Sequence, residues 1–273
     1  MKRIESGVAA LVVCLLSVVL TVGCRKPSAA VEEVEVAVEV AEDTVPVAMA
    51  ADRLFDDFFF NFATSERLQQ QRIHFPLPVF DAEGTELRIE RDEWHADAFF
   101  MEDGFYTLIL DNPMQAEAAR DTSLTRATVE RINLDAGFVS QYCFSREQGC
   151  WMLGSIRHQL MEENHNGSFL AFYRQFATDS VFQVQSLERY VTFTTTDPDE
   201  DLGSISGTME PSQWDTFRPS IIPSQTIYNI VYGDPIPEGK AKLFVIHGIA
   251  SEMEAQLDFQ MRKGKWRLTS FSN

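Results

Sequence analysis

The chain has 273 residues, a formal net charge of −18 and 21 phenylalanines. That length supports one or two domains and the phenylalanines supply a core. So acidic a chain repels phosphate backbones and anionic lipid, which excludes nucleic acid as a partner.

From the N-terminus, MKRIESGVAALVVCLLSVVLTVGC opens with Lys2 and Arg3, runs apolar from Val8 to Val22 and closes on Gly23 and Cys24. The pattern predicts a secretion signal over 1–23. Its apolar run is shorter than the roughly 20 residues that span a bilayer. TVGC resembles the lipobox of bacterial lipoproteins, although Thr21 stands where that motif has an aliphatic residue. The resemblance implies an acylated Cys24, hence palmitate, a lipid bilayer as partner and an outer-membrane address. The alternative is an ordinary cleaved signal with a chance cysteine. Residues 24–50, rich in Ala, Val and Glu, carry many like charges and no aromatic, and read as an acidic tether rather than an edge strand or short helix.

The remainder is written twice. FFFNFATS at 58–65 returns as FYRQFATD at 172–179, and CFSREQGCWMLGSI at 143–156 returns as DFQMRKGKWRLTSF at 258–271. Trp94 and Trp214 form a weaker match between these ends. The simplest reading is two copies of one domain, 51–163 and 168–273, joined at ENHNG (163–167).

In each copy the apolar period begins helical. Leu54, Phe55, Phe58, Phe59 and Phe62 make one face. Ser65 and Asp179 are predicted N-caps of a second short helix, and Pro76 and Pro78 end that stretch in the first copy. TVERINL (128–134) and KLFVIHGI (242–249) read as strands. Met253, Ala255, Leu257, Phe259 and Met261 alternate with polar residues, and Gly264 marks a hairpin that returns through Trp266 and Leu268. The class is α+β, helices first and then an antiparallel meander.

A helix ending in FATS or FATD, a Gln-rich helical turn, a mid-domain Trp and a closing GxW hairpin resemble the nuclear transport factor 2-like superfamily. The tandem copy with a lipobox resembles uncharacterised Bacteroidetes lipoproteins built on that cone of bent sheet. Members include isomerases, dehydratases, ligand binders and interaction modules, so the resemblance implies a fold without choosing a function.

Acid–base potential concentrates in EWHADAFF, with His95 and Asp97, and in Tyr106 downstream. The resembled superfamily places such groups in the cone, which makes them the weak catalytic candidates of an isomerase or dehydratase. The counterpart SQWDTFRP has no histidine. Trp94, Trp214 and His247 are pocket candidates, His247 because it aligns with the apolar Ile132 and would point into the second cone. The lone-histidine alternative is a hydrogen-bonded core residue. His158 and His165 read as solvated. Cys143 and Cys150 flank a hairpin turn and would be a disulfide or two free thiols. PDEDLGS (198–204) reads as a solvated acidic loop rather than a calcium loop, and GSISG (203–207) as a flexible turn. With no zinc, phosphate-loop or nucleophile-elbow signature, neither a metal nor another cofactor is expected. The leading expectation is a non-enzymatic module for a small ligand or a protein partner.

Overall fold

A computed structural model describes residues 52–197, 203–249, 251 and 253–272. The signal, Cys24, the tether and most of the acidic loop lie outside them. Two helices open the described chain, α1 (Phe55–Thr64) and α2 (Glu66–Arg72), followed by β1 (Leu77–Phe80), β2 (Glu86–Ile89), β3 (Phe105–Leu110), β4 (Arg126–Asn133), β5 (Phe138–Glu147) and β6 (Cys150–Leu160). Then come α3 (Gly167–Thr178), α4 (Ser180–Gln185), β7 (Leu187–Thr196), β8 (Ser204–Met209), α5 (Trp214–Phe217), β9 (Thr226–Tyr232), β10 (Ala241–Gly248), β11 (Glu254–Arg262) and β12 (Lys265–Ser272). The fold is α+β with two sheets.

Local chemistry explains the helix ends. Ser65 Oγ accepts from Leu68 N at 3.2 Å, and Asp179 Oδ1 accepts from Val181 N and Phe182 N at 2.9 Å each. These satisfy amides that a first helical turn leaves unpaired. Both closing hairpins turn through two left-handed residues, Gln148-Gly149 (φ 49° and 85°) and Lys263-Gly264 (φ 50° and 77°), the geometry that matches strand twist. GSISG, expected to be a turn, lies largely in β8. Gly207 is there because a Cβ would come within 2.6 Å of the Phe193 ring on the neighbouring strand.

The two sheets have the same order. The first runs β2-β1-β6-β5-β4-β9 and the second β8-β7-β12-β11-β10-β3, and in each only the pairing of the second and third strands is parallel. Each sheet takes its last strand from the other part of the chain: β9 pairs with β4, and β3 with β10. The exchanged strands also touch each other. Thr107 Oγ1 donates to Tyr228 O and accepts from Tyr228 N at 3.1 Å, and Asn229 Oδ1 accepts from Ile109 N at 2.9 Å.

The two cores repeat ring for ring. Phe55 meets Trp151 edge-on at 5.0 Å where Phe169 meets Trp266 at 5.4 Å, and Phe62 meets Phe144 at 5.4 Å where Phe176 meets Phe259 at 5.2 Å. Such T-shaped pairs add about 0.5–1.5 kcal/mol each beyond the area they bury. The repeated glutamine has a repeated task. Gln69 Nε2 donates to Phe62 O at 2.9 Å and its Oε1 accepts from Trp94 Nε1 at 3.1 Å, while Gln183 bridges Phe176 O (2.8 Å) and Trp214 Nε1 (2.9 Å).

The joint at 163–167, where His165 is expected to be solvated, buries Asn164, Asn166 and Gly167 and leaves His165 partly buried. Glu130, wholly inaccessible on β4, accepts from Gln141 Nε2 (2.9 Å), Asn164 Nδ2 (2.7 Å) and Asn229 Nδ2 (2.9 Å), and Asn166 Oδ1 accepts from the buried Lys242 ammonium at 2.5 Å, which also pairs with Asp111. His165 sits 3.8 Å from Glu130 with its side chain 17% exposed. A buried carboxylate requires such donors, and residues 164–166 help supply them.

Candidate functional site

Arg131 lies on β4 between Ser140 of β5 and Tyr228 of β9. Its guanidinium is spent on three partners: Nη2 on Asp97 Oδ1 at 2.5 Å, Nη1 on the Tyr142 hydroxyl at 3.0 Å and Nε on the Tyr228 hydroxyl at 2.8 Å. Tyr142 donates in turn to Asp97 Oδ2 at 3.2 Å, and the rings of Phe99, Tyr142 and Tyr228 each stand 5.5 Å from the guanidinium carbon. Asp97 is held by the glutamine clasp, since Gln69 Oε1 also accepts from its amide at 3.0 Å and Gln69 Nε2 donates to its carbonyl at 2.8 Å. Burial pushes the Tyr142 phenol up against the opposing pull of Arg131. Burial by itself would lower Arg131, but Tyr142, Asp97 and Tyr228 outweigh it and keep the cation firmly protonated. A carboxylate tied to a guanidinium and capped by a phenol is a closed circuit, not a poised base.

The same ladder place in the second sheet is Ile246, between Ala255 of β11 and Thr107 of β3. Among the described residues, no ion pair is found beside it like that of Arg131 and Asp97. A cavity of about 570 Å³ opens there, with Ile246 and Ala255 as floor, Thr195, Ile221 and Met253 as walls, and Thr194, Thr196, Ser204 and Ser272 at the rim. That volume lies within the range of small-molecule sites, roughly 300–1,000 Å³. Among the described residues that line it, the one ionisable group is Glu254, which stands 3.4 Å from His247. The surface offered to a ligand is apolar below and hydroxylic above.

The catalytic candidates do not converge. His95 is exposed, with Nδ1 2.9 Å from Glu93 O. Asp97 is bound to Arg131. Tyr106 stacks on Phe100 at 5.0 Å and on His247 at 5.1 Å, and burial, with Asp56 and Glu254 nearby, pushes its phenol up to about 12. His247 does not enter the second core. It shares a strand face with Leu243 and Val245, which pack on the first core, whereas Phe244 and Ile246 fill the second. The alignment with Ile132 holds, but Ile132 faces away from the first core and into the second, so its counterpart His247 faces the first core rather than the second. Trp94 and Trp214 serve the glutamine clasps.

Cys143 and Cys150 are not joined. Cys143 pairs with Ser155 and Cys150 with Glu147, about 13 Å apart along the ladder, against the 7 Å limit between Cα atoms. Burial raises the Cys143 thiol, which makes it unreactive. His158, expected to be solvated, is half-buried with Nδ1 3.0 Å from Ser140 Oγ, and burial lowers its pKa.

Arg131, Tyr142, Tyr228 and Asp56 were not singled out from sequence. The available signal was Glu130-Arg131 inside the strand TVERINL, two adjacent charges aimed at opposite faces, neither of them free of a core. Asp56, on the first turn of α1, accepts from the Tyr232 hydroxyl at 2.9 and 3.0 Å, and burial lifts its carboxyl from 3.8 to about 6.

No curated protein matches this chain. Among solved structures, an NTF2-like protein from Bacteroides fragilis NCTC 9343 is similar, with 36% identity, a TM-score of 0.74, and 82% of this chain and 97% of that one covered. Residues 33–273 match the family described as Domain of unknown function (DUF4348), and the chain belongs to that family.

Proposed function

We propose that this protein is a lipid-anchored binding module without catalytic activity, in which two copies of an NTF2-like domain have diverged. The first cone is closed by its own arginine, and the second receives a small uncharged ligand. The replacement of Arg131 by Ile246 at one ladder position carries this reading, because it exchanges a saturated polar plug for a cavity of about 570 Å³. The isomerase or dehydratase alternative loses its support where His95, Asp97 and Tyr106 take separate partners.

Nile red, a neutral dye that brightens in apolar sites, tests the pocket. The protein should bind it saturably, and Ala255→Trp, which fills the floor, should weaken binding about tenfold or more, the loss expected when an apolar contact surface is blocked. Equal binding by the variant removes the pocket. Anchoring is a separate part of the reading and rests on the sequence around Cys24. Palmitate labelling should disappear in Cys24→Ala, and a label retained there ends the lipoprotein assignment.

A further inference from the structure

Beside the pocket mouth, the outer face of the second sheet bears a regular field of hydroxyls. The ladder sets Thr192 opposite Thr208 on one side and Ser270 on the other, Thr194 opposite Ser206 and Ser272, and Thr196 opposite Ser204. Thr194 and Ser206 hydroxyls touch at 2.9 Å, which places both on one face, while Phe193 points the other way into the core. Adjacent strands lie about 4.8 Å apart, so the hydroxyls repeat across the sheet at close to the width of one pyranose ring.

Three further observations narrow the ligand. Strand alternation puts Tyr190 on the face of Thr192 and Thr194, and it is 53% exposed, with Arg189 against its ring at 5.2 Å. An exposed ring next to hydroxyls fits a ligand with both C–H faces and O–H groups. Among the described residues, the hydroxyl rows contain no charged side chain until Asp258, which is occupied by Ser270 Oγ at 2.6 Å and Gln256 Nε2 at 2.6 Å, and the chain as a whole carries −18. An uncharged patch on so acidic a protein disfavours anions and accepts neutral groups. Finally, Thr194, Thr196, Ser204 and Ser272 belong both to this field and to the pocket rim, so the two surfaces are continuous.

We propose that the field and the pocket form one binding site for a neutral oligosaccharide. Its terminal sugar enters the pocket with a C–H face against Ile221 and Met253, and the following sugars run about 20 Å along β7, over Thr194 and Thr192, to stack on Tyr190. The inference rests on the pocket reading above and names the ligand class for it.

The test is retardation of the full-length chain in native gels cast with dextran, galactomannan or arabinoxylan, with polygalacturonate as the anionic control. At least one neutral polymer should retard the protein and polygalacturonate should not. Tyr190→Ala, and separately the pair Thr192→Val and Thr208→Val, which lies outside the pocket lining and keeps strand-forming side chains, should each weaken retardation about tenfold, as expected for one or two lost hydrogen bonds or a lost stacking contact. Nile red binding should be unchanged in those variants, which also shows that they fold. Wild-type protein that binds Nile red but ignores every neutral polymer overturns the glycan inference and leaves the pocket standing, as does retardation insensitive to the ladder substitutions. Retardation lost with the ladder variants but untouched by Ala255→Trp overturns the single continuous site, and the pocket reading is then decided by Nile red alone.

Discussion

The mouths of the two sheets sit at matching ladder positions and have opposite contents. Arg131 stands between Ser140 and Tyr228 and is tied off by Asp97 and two phenols, while Ile246 stands between Ala255 and Thr107 and faces a cavity. The cores behind them are nearly superimposable in their ring contacts. The difference teaches that in this architecture a binding space is opened or closed by one strand residue and the partner it recruits, with the packing behind it left alone. It also warns that the richest cluster of titratable groups is not the open site: Asp97, Tyr142 and Arg131 satisfy one another.

The comparison can be broken at three points. The largest effect should come one residue before Arg131, on the opposite face, where Glu130 has Val245 as its ladder counterpart. Glu130→Val would strand the amides of Gln141, Asn164 and Asn229 in the interior, at about 4 kcal/mol. Urea unfolding measures it, and a loss under about 1 kcal/mol would mean that these bonds do not hold the two sheets together.

Next, Arg131→Ile gives the first sheet the residue of the second. Leaving Asp97 partly buried without its cation should cost about 2–3 kcal/mol, with much of it recovered in the Asp97→Ala background. If the plug is what closes the first mouth, the double variant should bind a second equivalent of Nile red. A stoichiometry of one would show that the two mouths differ by more than this residue.

The smallest effect concerns Asp56. Its carboxyl is raised from 3.8 to about 6, chiefly by burial, so the folded protein keeps the proton to higher pH than the unfolded chain does. Its contribution to stability therefore falls as pH rises from about 4 through about 6. Asp56→Asn should flatten that slope and raise stability at pH 7 by about 1–2 kcal/mol. Unfolding midpoints measured from pH 4 to 8 check the sign, and a variant with the wild-type slope would place the titration elsewhere.

How much was legible follows from the range of each interaction. Ser65 and Asp179 could be assigned as caps because a cap bonds within three residues. The phenylalanine face of α1 and the hairpin through Gly264 are likewise local patterns. The Gln–Trp clasp was visible only as two repeated letters, since its bond spans 25 residues in one case and 31 in the other. Arg131 was passed over because its partners lie 34, 11 and 97 positions away. His165, in the joint at 163–167, looked solvated for a similar reason: its asparagine neighbours are polar by composition, and only Glu130 and Lys242 give them a buried use. Cys143 and Cys150 looked bridgeable because spacing around a turn does not specify the turn's residues; with Gln148-Gly149 at the tip, the ladder separates them.

By itself the sequence determined the α+β class, the repeated helix–cap–hairpin grammar and the apolar faces, all of which follow from periods and contacts of a few residues. Tertiary structure alone decided that β3 and β9 change places. FYTLIL and TIYNIVY are both apolar enough to serve either sheet, so no local pattern distinguishes the exchanged pairing from the unexchanged one. It decided the site for the same reason. Whether a strand residue meets a carboxylate or an empty space depends on what the rest of the chain brings to that point, and that is fixed only when both sheets close.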